Sequence, residues 1–198
     1  MPPECPNTNF TSNIGDLEAA AEYLAGRGMA PSLIIGHSLG GAAVLKASAH
    51  MESVKAVVTI GAPFDPGHVT HNFGDDVEKI EANGAAEVHL GGRPFTITRE
   101  FLRDVDGANI AGDISGLKRA LLVLHAPRDS IVGIENAKEI FEAARHPKSF
   151  VTLDDADHLV TRAEDAEYAA EVIAAWATRY LNLSPPAPPL VHLRASCG

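Results

Sequence analysis

The residues best suited to chemistry lie in Gly36-His37-Ser38-Leu39-Gly40, which has the form G-x-S-x-G. An apolar run, Leu33 to Ile35, precedes this pattern, and a stretch of small residues without proline follows it. That setting predicts a sharp turn from a buried strand into a helix, with the serine at the corner. Free N–H groups at the helix N-terminus would favour negative charge developing there. We interpret Gly36 and Gly40 as positions where a side chain would collide with the backbone, and Ser38 as a candidate nucleophile.

A nucleophilic serine needs a base to accept its proton and an acid to orient that base. Asp129 follows the apolar run 120–125, and His158 follows the next strand-like run, 149–153. Loops beyond the carboxyl ends of parallel strands are where open sheets collect their sites. The chain order Ser38, Asp129, His158 also matches one known arrangement of such a triad. The sequence therefore predicts a nucleophile, an orienting acid and a general base.

These residues also have structural interpretations. Asp129 could be the N-cap of the following helix, and His158 could be a surface residue of an acidic loop. Its neighbours Asp154, Asp155 and Asp157 could indicate a metal, but no second histidine or cysteine lies at ligand spacing, which favours a solvated loop. The other histidines considered are interpreted as structural or lid residues, with His37 pointing away from the serine oxygen: His37, His68, His71, His89 and His125.

Strand-like and helix-like runs alternate along the chain, which predicts a mostly parallel sheet with helices against it. The predicted strands are 33–35, 54–60, 120–125 and 149–153, and the predicted helices are 14–24, the small-residue run after Ser38, 132–145 and 163–181. The segment Met1 to Phe10 is predicted to be a loop. Thr11, Ser12 and Asn13 are candidate N-caps of the first helix.

Residues from about 64 to 117 interrupt this alternation. They predict short polar helices around 69–80, a hairpin turning at Gly91-Gly92, and a further short helix at Phe101, Leu102 and Val105. Such irregular insertions often cover binding sites. We therefore predict a core domain over 1–183 with a lid at about 64–117, followed by a proline-rich linker and tail at 184–198.

Composition narrows the classes of function. The 198 residues are 45% hydrophobic and 21% charged, enough for one domain with a sizeable core. A net charge of −10 without a Lys/Arg cluster argues against nucleic acid or an anionic membrane as partner and favours a small-molecule substrate. Cys5 and Cys197 lie in the terminal segments and are predicted to be free thiols. With no signal-like segment and no apolar run of about 18 residues, the sequence predicts a cytoplasmic protein.

The segment 36–41, together with Asp129 and His158, resembles the α/β-hydrolase superfamily over about Phe10 to Leu181. A closer resemblance is to the serine-hydrolase domains that bacteria often fuse ahead of an OsmC-like domain, through 7–13, 60–63, 91–95 and 146–150. This resemblance implies cofactor-free transfer of an acyl group to water, by esterase, thioesterase or peptidase chemistry. It also implies that the Leu39 N–H forms half of an oxyanion hole.

The sequence departs from that superfamily before the first strand. Members carry further strands ahead of the nucleophile strand, and a loop among them supplies the second oxyanion donor. We therefore expect an N-terminally truncated, partial α/β-hydrolase fold with a mostly parallel sheet of about four strands. An exposed edge at 33–35 would invite self-association, and a missing donor would slow turnover about 100-fold to 1,000-fold. The alternative is a weakly active or non-catalytic binding module.

Overall fold

The computed structural model describes residues 9–90 and 93–181. Its strands are β1 (Leu33–His37), β2 (Ala56–Ile60), β3 (Ala85–Leu90), β4 (Arg93–Thr98), β5 (Ala120–His125) and β6 (Lys148–Thr152). Its helices are α1 (Phe10–Ala25), α2 (Leu39–Ala47), α3 (Asp76–Asn83), α4 (Arg99–Asp106), α5 (Ala111–Ser115), α6 (Glu135–Ala143) and α7 (Ala163–Leu181), with 3₁₀ helices at Ser48–His50 and Pro66–Phe73. No described helix is both long and apolar enough to cross a bilayer.

The centre of the fold is a parallel four-stranded sheet in the order β1-β2-β5-β6. Both faces of β2 and β5 are buried, which explains their nearly continuous apolar sequences. Residues of one face, such as Val57 and Leu121, pack with α1, α2 and α6. Those of the other face, such as Val58 and Leu122, pack under α7. The predicted fold class, a partial α/β-hydrolase fold with four parallel strands flanked by helices, is confirmed.

The start of α1 corrects the sequence prediction. The helix begins at Phe10, which is only 1% exposed and belongs to the core, so Phe10 is not part of a loop. Its N-cap is Asn9, not Thr11, Ser12 or Asn13. The Asn9 side chain accepts the Ser12 N–H while the Ser12 hydroxyl accepts the Asn9 N–H, and this reciprocal capping box fixes the boundary.

The start of α6 was also predicted too early. The helix begins at Glu135 with Ile134 as its N-cap, so Asp129 is not the N-cap of this helix. The preceding residues instead form a turn in which the Asp129 carboxylate accepts the N–H groups of Ile131 and Val132. By contrast, β5 and α7 have the predicted bounds, and β2 begins at Ala56 instead of Val54.

The segment predicted to be a lid contains the 3₁₀ helix Pro66–Phe73, α3, the β3-β4 hairpin, α4 and α5. The predicted hairpin is confirmed, with Val88 opposite Phe95 and Ala86 opposite Ile97. Its turn, Gly91-Gly92, lies outside the described residues, as does the predicted linker and tail at 184–198. A small apolar cluster of Phe73, Ile80, Val88, Ile97 and Leu102 stabilises the segment. Its action as a lid stays a prediction.

Strand β1 is an edge of the sheet, since β2 is its sole strand partner within the described ranges. Ile35 points away from the α1/α2 side and is 48% exposed. An edge with an exposed apolar residue is a template for pairing with a second chain. We expect concentration-dependent self-association, which Ile35→Lys should weaken by placing a charge on the edge. Light scattering after size-exclusion chromatography measures it, and a wild-type monomer at every concentration would contradict the prediction.

Candidate active site

Ser38 occupies the corner between β1 and α2. Its backbone angles, φ 53° and ψ −130°, lie where side chains other than glycine are strained. Two hydrogen bonds hold the corner: the Ser38 N–H donates to the Ile60 carbonyl at 2.8 Å, and the Ser38 carbonyl accepts the Gly41 N–H at 2.8 Å. The turn predicted from G-x-S-x-G is therefore present.

Close packing around this turn requires glycine at two positions. A Cβ on Gly36 would lie 2.2 Å from the Gly40 carbonyl oxygen, and a Cβ on Gly41 would lie 2.5 Å from the Ala62 Cβ. A Cβ on Gly40 would meet nothing within 4 Å. The interpretation of Gly40 as a position crowded by the turn is therefore wrong. Its backbone crowds Gly36, whereas Gly41 is the second position where a side chain does not fit.

The structure brings Ser38, His158 and Asp129 into one chain of hydrogen bonds. Ser38 Oγ lies 3.0 Å from His158 Nε2, and His158 Nδ1 lies 2.7 Å from Asp129 Oδ2. The His158 side chain is 8% exposed and that of Asp129 is 1% exposed. With the proton on Nδ1 bound to the carboxylate, Nε2 is free to accept the Ser38 proton.

Asp129 is held in place through both carboxylate oxygens. Oδ2 accepts the His158 Nδ1–H, while Oδ1 accepts the N–H groups of Ile131 and Val132, both at 2.9 Å. Desolvation is the largest single influence on the pKa of Asp129 and acts to raise it. The hydrogen bond from His158, then those from Val132 and Ile131, together outweigh desolvation, so the pKa of Asp129 is lowered from 3.8. The carboxylate is thus ionised at neutral pH.

The loop that carries His158 is shaped by Asp157. The Asp157 carboxylate accepts the Thr161 hydroxyl and, at 2.9 Å, the Thr161 N–H, and these hydrogen bonds lower the pKa of Asp157. Val160, inside this turn, has a φ of 51°. Asp154 and Asp155 are exposed on the same loop. In the described ranges, no group of three or more histidine, cysteine or acidic side chains is arranged to hold a metal ion.

His37 contacts the loop of the base. Its Nε2–H donates to the His158 carbonyl at 2.6 Å, and the two ring centroids are 5.0 Å apart. The pKa of His37 is lowered, first by the surrounding protein atoms that desolvate the ring and also by the nearby His158. The neutral ring therefore ties the residue before Ser38 to the backbone of His158. This contact was missed in the sequence, where His37 was interpreted as a structural residue pointing away from the serine oxygen.

Two further residues near the triad were not assigned to it from the sequence. His125 is fully buried, and its Nε2–H donates to the Val132 carbonyl at 2.7 Å, which supports the turn that binds Asp129. Gly61 has a φ of +56°, and a Cβ there would lie 3.4 Å from both Asp129 Oδ2 and His158 Nδ1. Their positions in the sequence could have indicated them, because His125 is the last residue of β5 and Gly61 directly follows β2.

A cavity of about 410 Å³ opens onto Ser38 and His158. Its wall is predominantly apolar and comprises Leu39, Phe73, Phe95, Ile97, Phe101, Ile131, Val132 and Leu159, with Asn13, His37 and Gly40. Among the residues whose side chains the structure describes, no lysine, arginine, aspartate or glutamate lines it. Another cavity of about 420 Å³, beside Phe150 and Tyr168, contains none of the triad residues. Of these two cavities, the cavity at Ser38 therefore has the position and the apolar wall that suit an uncharged substrate.

The Leu39 N–H is the first backbone donor of α2. In the described part of the chain it has no acceptor, as expected for the first N–H groups of a helix. The helix dipole adds partial positive charge at this end. The N–H is therefore available to an oxygen that becomes negatively charged beside Ser38.

No protein-family model and no curated protein matches this chain. Among solved structures, alpha/beta hydrolase domain-containing protein 10 from mouse superposes with a TM-score of 0.66 at 20% identity, over 89% of this chain and 72% of that one. Est1E from Butyrivibrio proteoclasticus superposes with a TM-score of 0.72 at 14% identity, with coverage of 89% and 72%. At these identities the likeness concerns the fold.

The esterase domain of a Rhodothermus marinus protein is similar in sequence as well. It is 48% identical, with a TM-score of 0.74, over 90% of this chain and 72% of that one. The chain belongs to the α/β-hydrolase superfamily. The closer resemblance of this α/β hydrolase to domains fused ahead of OsmC-like domains stays a prediction, and so does truncation at its N-terminus.

Proposed function

We propose that this α/β hydrolase is a cytoplasmic serine hydrolase that cleaves an ester, thioester or amide bond through an acyl-enzyme. The observation that carries the proposal is the chain of hydrogen bonds from Ser38 Oγ through His158 to Asp129, at 3.0 and 2.7 Å, beside an apolar cavity. Ser38 is the nucleophile, His158 the general base and then acid, and Asp129 the orienting carboxylate.

In the acylation step, His158 Nε2 takes the proton of Ser38 as Oγ attacks the substrate carbonyl carbon. The electron pair of the C=O bond moves to oxygen, where the Leu39 N–H donates to the resulting oxyanion. Collapse of this intermediate re-forms the C=O bond and breaks the bond to the leaving group. The leaving group takes the proton from His158, and the acyl group remains on Ser38.

In the deacylation step, water replaces the leaving group. His158 removes a proton from the water as its oxygen attacks the acyl carbon, and the second intermediate expels Ser38 Oγ, which recovers its proton from His158. The ionised Asp129 stabilises the imidazolium in both steps. Every proton in this route moves between substrate, water and residues of the chain, so we propose no cofactor.

The proposed substrate carries an uncharged, apolar acyl or leaving group. In the described part of the chain, the cavity wall offers several aromatic and aliphatic side chains and no formal charge from lysine, arginine, aspartate or glutamate. Esters are favoured over amides as a first choice, because the 48% identical domain from Rhodothermus marinus is named an esterase. Short acyl p-nitrophenyl esters are therefore suitable first substrates.

A fluorophosphonate probe tests the proposal. We expect it to react covalently with Ser38, because the serine oxygen is the group that His158 activates. Mass spectrometry of the digested adduct should place the modification on the peptide containing Ser38, and Ser38→Ala should give no adduct. If the folded wild-type protein stays unlabelled and hydrolyses no p-nitrophenyl ester, the proposal is wrong and a non-catalytic binding module is favoured.

A further inference from the structure

The general base of the proposed reaction, His158, lies in a short loop formed by residues 157–161. Hydrogen bonds from Thr161 to the Asp157 carboxylate hold the shape of this loop. In the described ranges, the hydrogen bonds from the loop to other parts of the fold all involve His158. Two of them use its imidazole, and the other uses its backbone carbonyl. The placement of the loop backbone relative to Ser38 therefore depends on the donor to that carbonyl.

The donor is His37, the last residue of β1 and the residue directly before Ser38. The distance from His37 Nε2 to the His158 carbonyl oxygen is 2.6 Å, and that from Ser38 Oγ to His158 Nε2 is 3.0 Å. Two consecutive residues thus hold the backbone and the side chain of the base. His37 lies opposite Ile60 in the parallel register with β2, so the loop is tied to the sheet that carries the nucleophile.

The hydrogen bond to Asp129 does not fix the base by itself. Asp129 Oδ2 accepts the His158 Nδ1–H at 2.7 Å and so sets which way the ring faces. The ring can still pivot about this one contact, and a second hydrogen bond to the backbone of the same residue restricts that movement. A displacement of about 1 Å at a reacting group can lower a rate about 100-fold. The bond from His37 can therefore affect the reaction through the position of His158.

Histidine suits this position because its ring is an uncharged donor. The pKa of His37 is lowered, chiefly by the surrounding protein atoms that desolvate the ring. The ring is thus neutral at neutral pH, with its single proton on the nitrogen that faces the carbonyl oxygen. A lysine or arginine could donate to the same oxygen. It would also place a positive charge beside the imidazolium that His158 forms when it takes the serine proton, and would disfavour that step.

We propose that His37 is a positioning residue for the general base. Its Nε2–H holds the His158 backbone so that His158 Nε2 stays within hydrogen-bond distance of Ser38 Oγ. This inference rests on the proposed serine-hydrolase function and adds to it a residue outside the triad. His37 forms no covalent bond and takes up no proton in the reaction, since it acts through His158.

The test compares His37→Phe, His37→Asn and His37→Gln with wild type in the hydrolysis of p-nitrophenyl butyrate. Phenylalanine keeps a ring but has no donor, so kcat should fall about 10-fold to 100-fold while KM changes little. The amide nitrogen of glutamine lies as many bonds from the backbone as histidine Nε2, so His37→Gln should recover most of the loss. The amide of asparagine is one bond shorter, so His37→Asn should not. Rates of fluorophosphonate labelling at Ser38 should follow the same order.

The matched control is His50→Phe, the same change at an exposed histidine that pairs with Glu18. It should keep wild-type kcat and labelling rate. If wild type is labelled at Ser38 and active, but all three His37 variants keep its kcat, His37 is not a positioning residue while the serine-hydrolase function stands. If wild type is neither labelled nor active, both proposals fail.

A loss in His37→Gln equal to that in His37→Phe would also overturn the inference, since the donor would then not be the feature that matters. A change in KM with unchanged kcat would do the same, because it would assign His37 to substrate binding. Thermal unfolding shows whether His37→Phe is folded. Should it not be, the comparison of His37→Gln with His37→Asn decides the test.

Discussion

Replacing either Ser38 or His158 with alanine is expected to lower kcat about a millionfold, since residues that act as one unit fail together. The Ser38 Oγ to His158 Nε2 distance of 3.0 Å places proton acceptor and nucleophile in direct contact. Without the imidazole, the serine proton has no acceptor. Without the hydroxyl, the imidazole has no proton to take. The double variant should therefore be no slower than either single variant, as measured by hydrolysis of p-nitrophenyl butyrate.

The matched control is His50→Ala. His50 is an exposed histidine that pairs with Glu18 at 2.6 Å, and it does not line the cavity at Ser38. This variant should keep wild-type kcat. Substantial turnover by folded His158→Ala would show that another group is the base.

Asp129→Asn is expected to lower kcat about 10,000-fold while the protein stays folded. Asparagine retains an oxygen for the Ile131 and Val132 N–H groups, but it loses the charge that stabilises the imidazolium and that orients Nδ1–H toward it. Asp129→Ala should show the same kinetic loss together with a lower free energy of unfolding, because two backbone donors lose their acceptor. Denaturant titration and hydrolysis rates separate the two effects.

Because folding lowers the pKa of Asp129, this residue makes the free energy of unfolding depend on pH. A carboxyl group whose pKa is depressed by folding stabilises the native state above its unfolded pKa, near 3.8, and this stabilisation is lost as the pH falls through the lower native value. Asp129→Asn should therefore reduce the acid-induced loss of stability below about pH 4. Asp154→Asn, an exposed carboxylate outside the triad, is the control for kcat. Similar rates for the two variants would contradict the assigned role of Asp129.

Much of the fold was predictable because its signals are local. The alternation of apolar runs with helix-like segments predicted the four parallel strands. The predicted first and last residues of β5 and α7 agree with the structure. The turn at Ser38 was predictable because Gly36, Ser38 and the apolar run before them are contiguous. Helix starts were less predictable, since a cap depends on side-chain hydrogen bonds. The capping box of Asn9 and Ser12 starts α1 at Phe10, which is earlier than the candidate caps Thr11 and Asn13 had indicated.

The sequence by itself determined which residues were candidates for the site and the side of the sheet where each would lie. Chain order and strand ends were enough for Ser38, Asp129 and His158, because parallel strands bring their carboxyl ends to one edge. Only the tertiary structure decided the distances among these residues, which come from elements 120 and 29 positions apart. It also decided that Gly41, not Gly40, needs to be glycine, and that Asn13 lines the cavity. Those outcomes depend on how Ala62 and α1 pack against α2, and such contacts between distant segments leave no periodic pattern in the sequence.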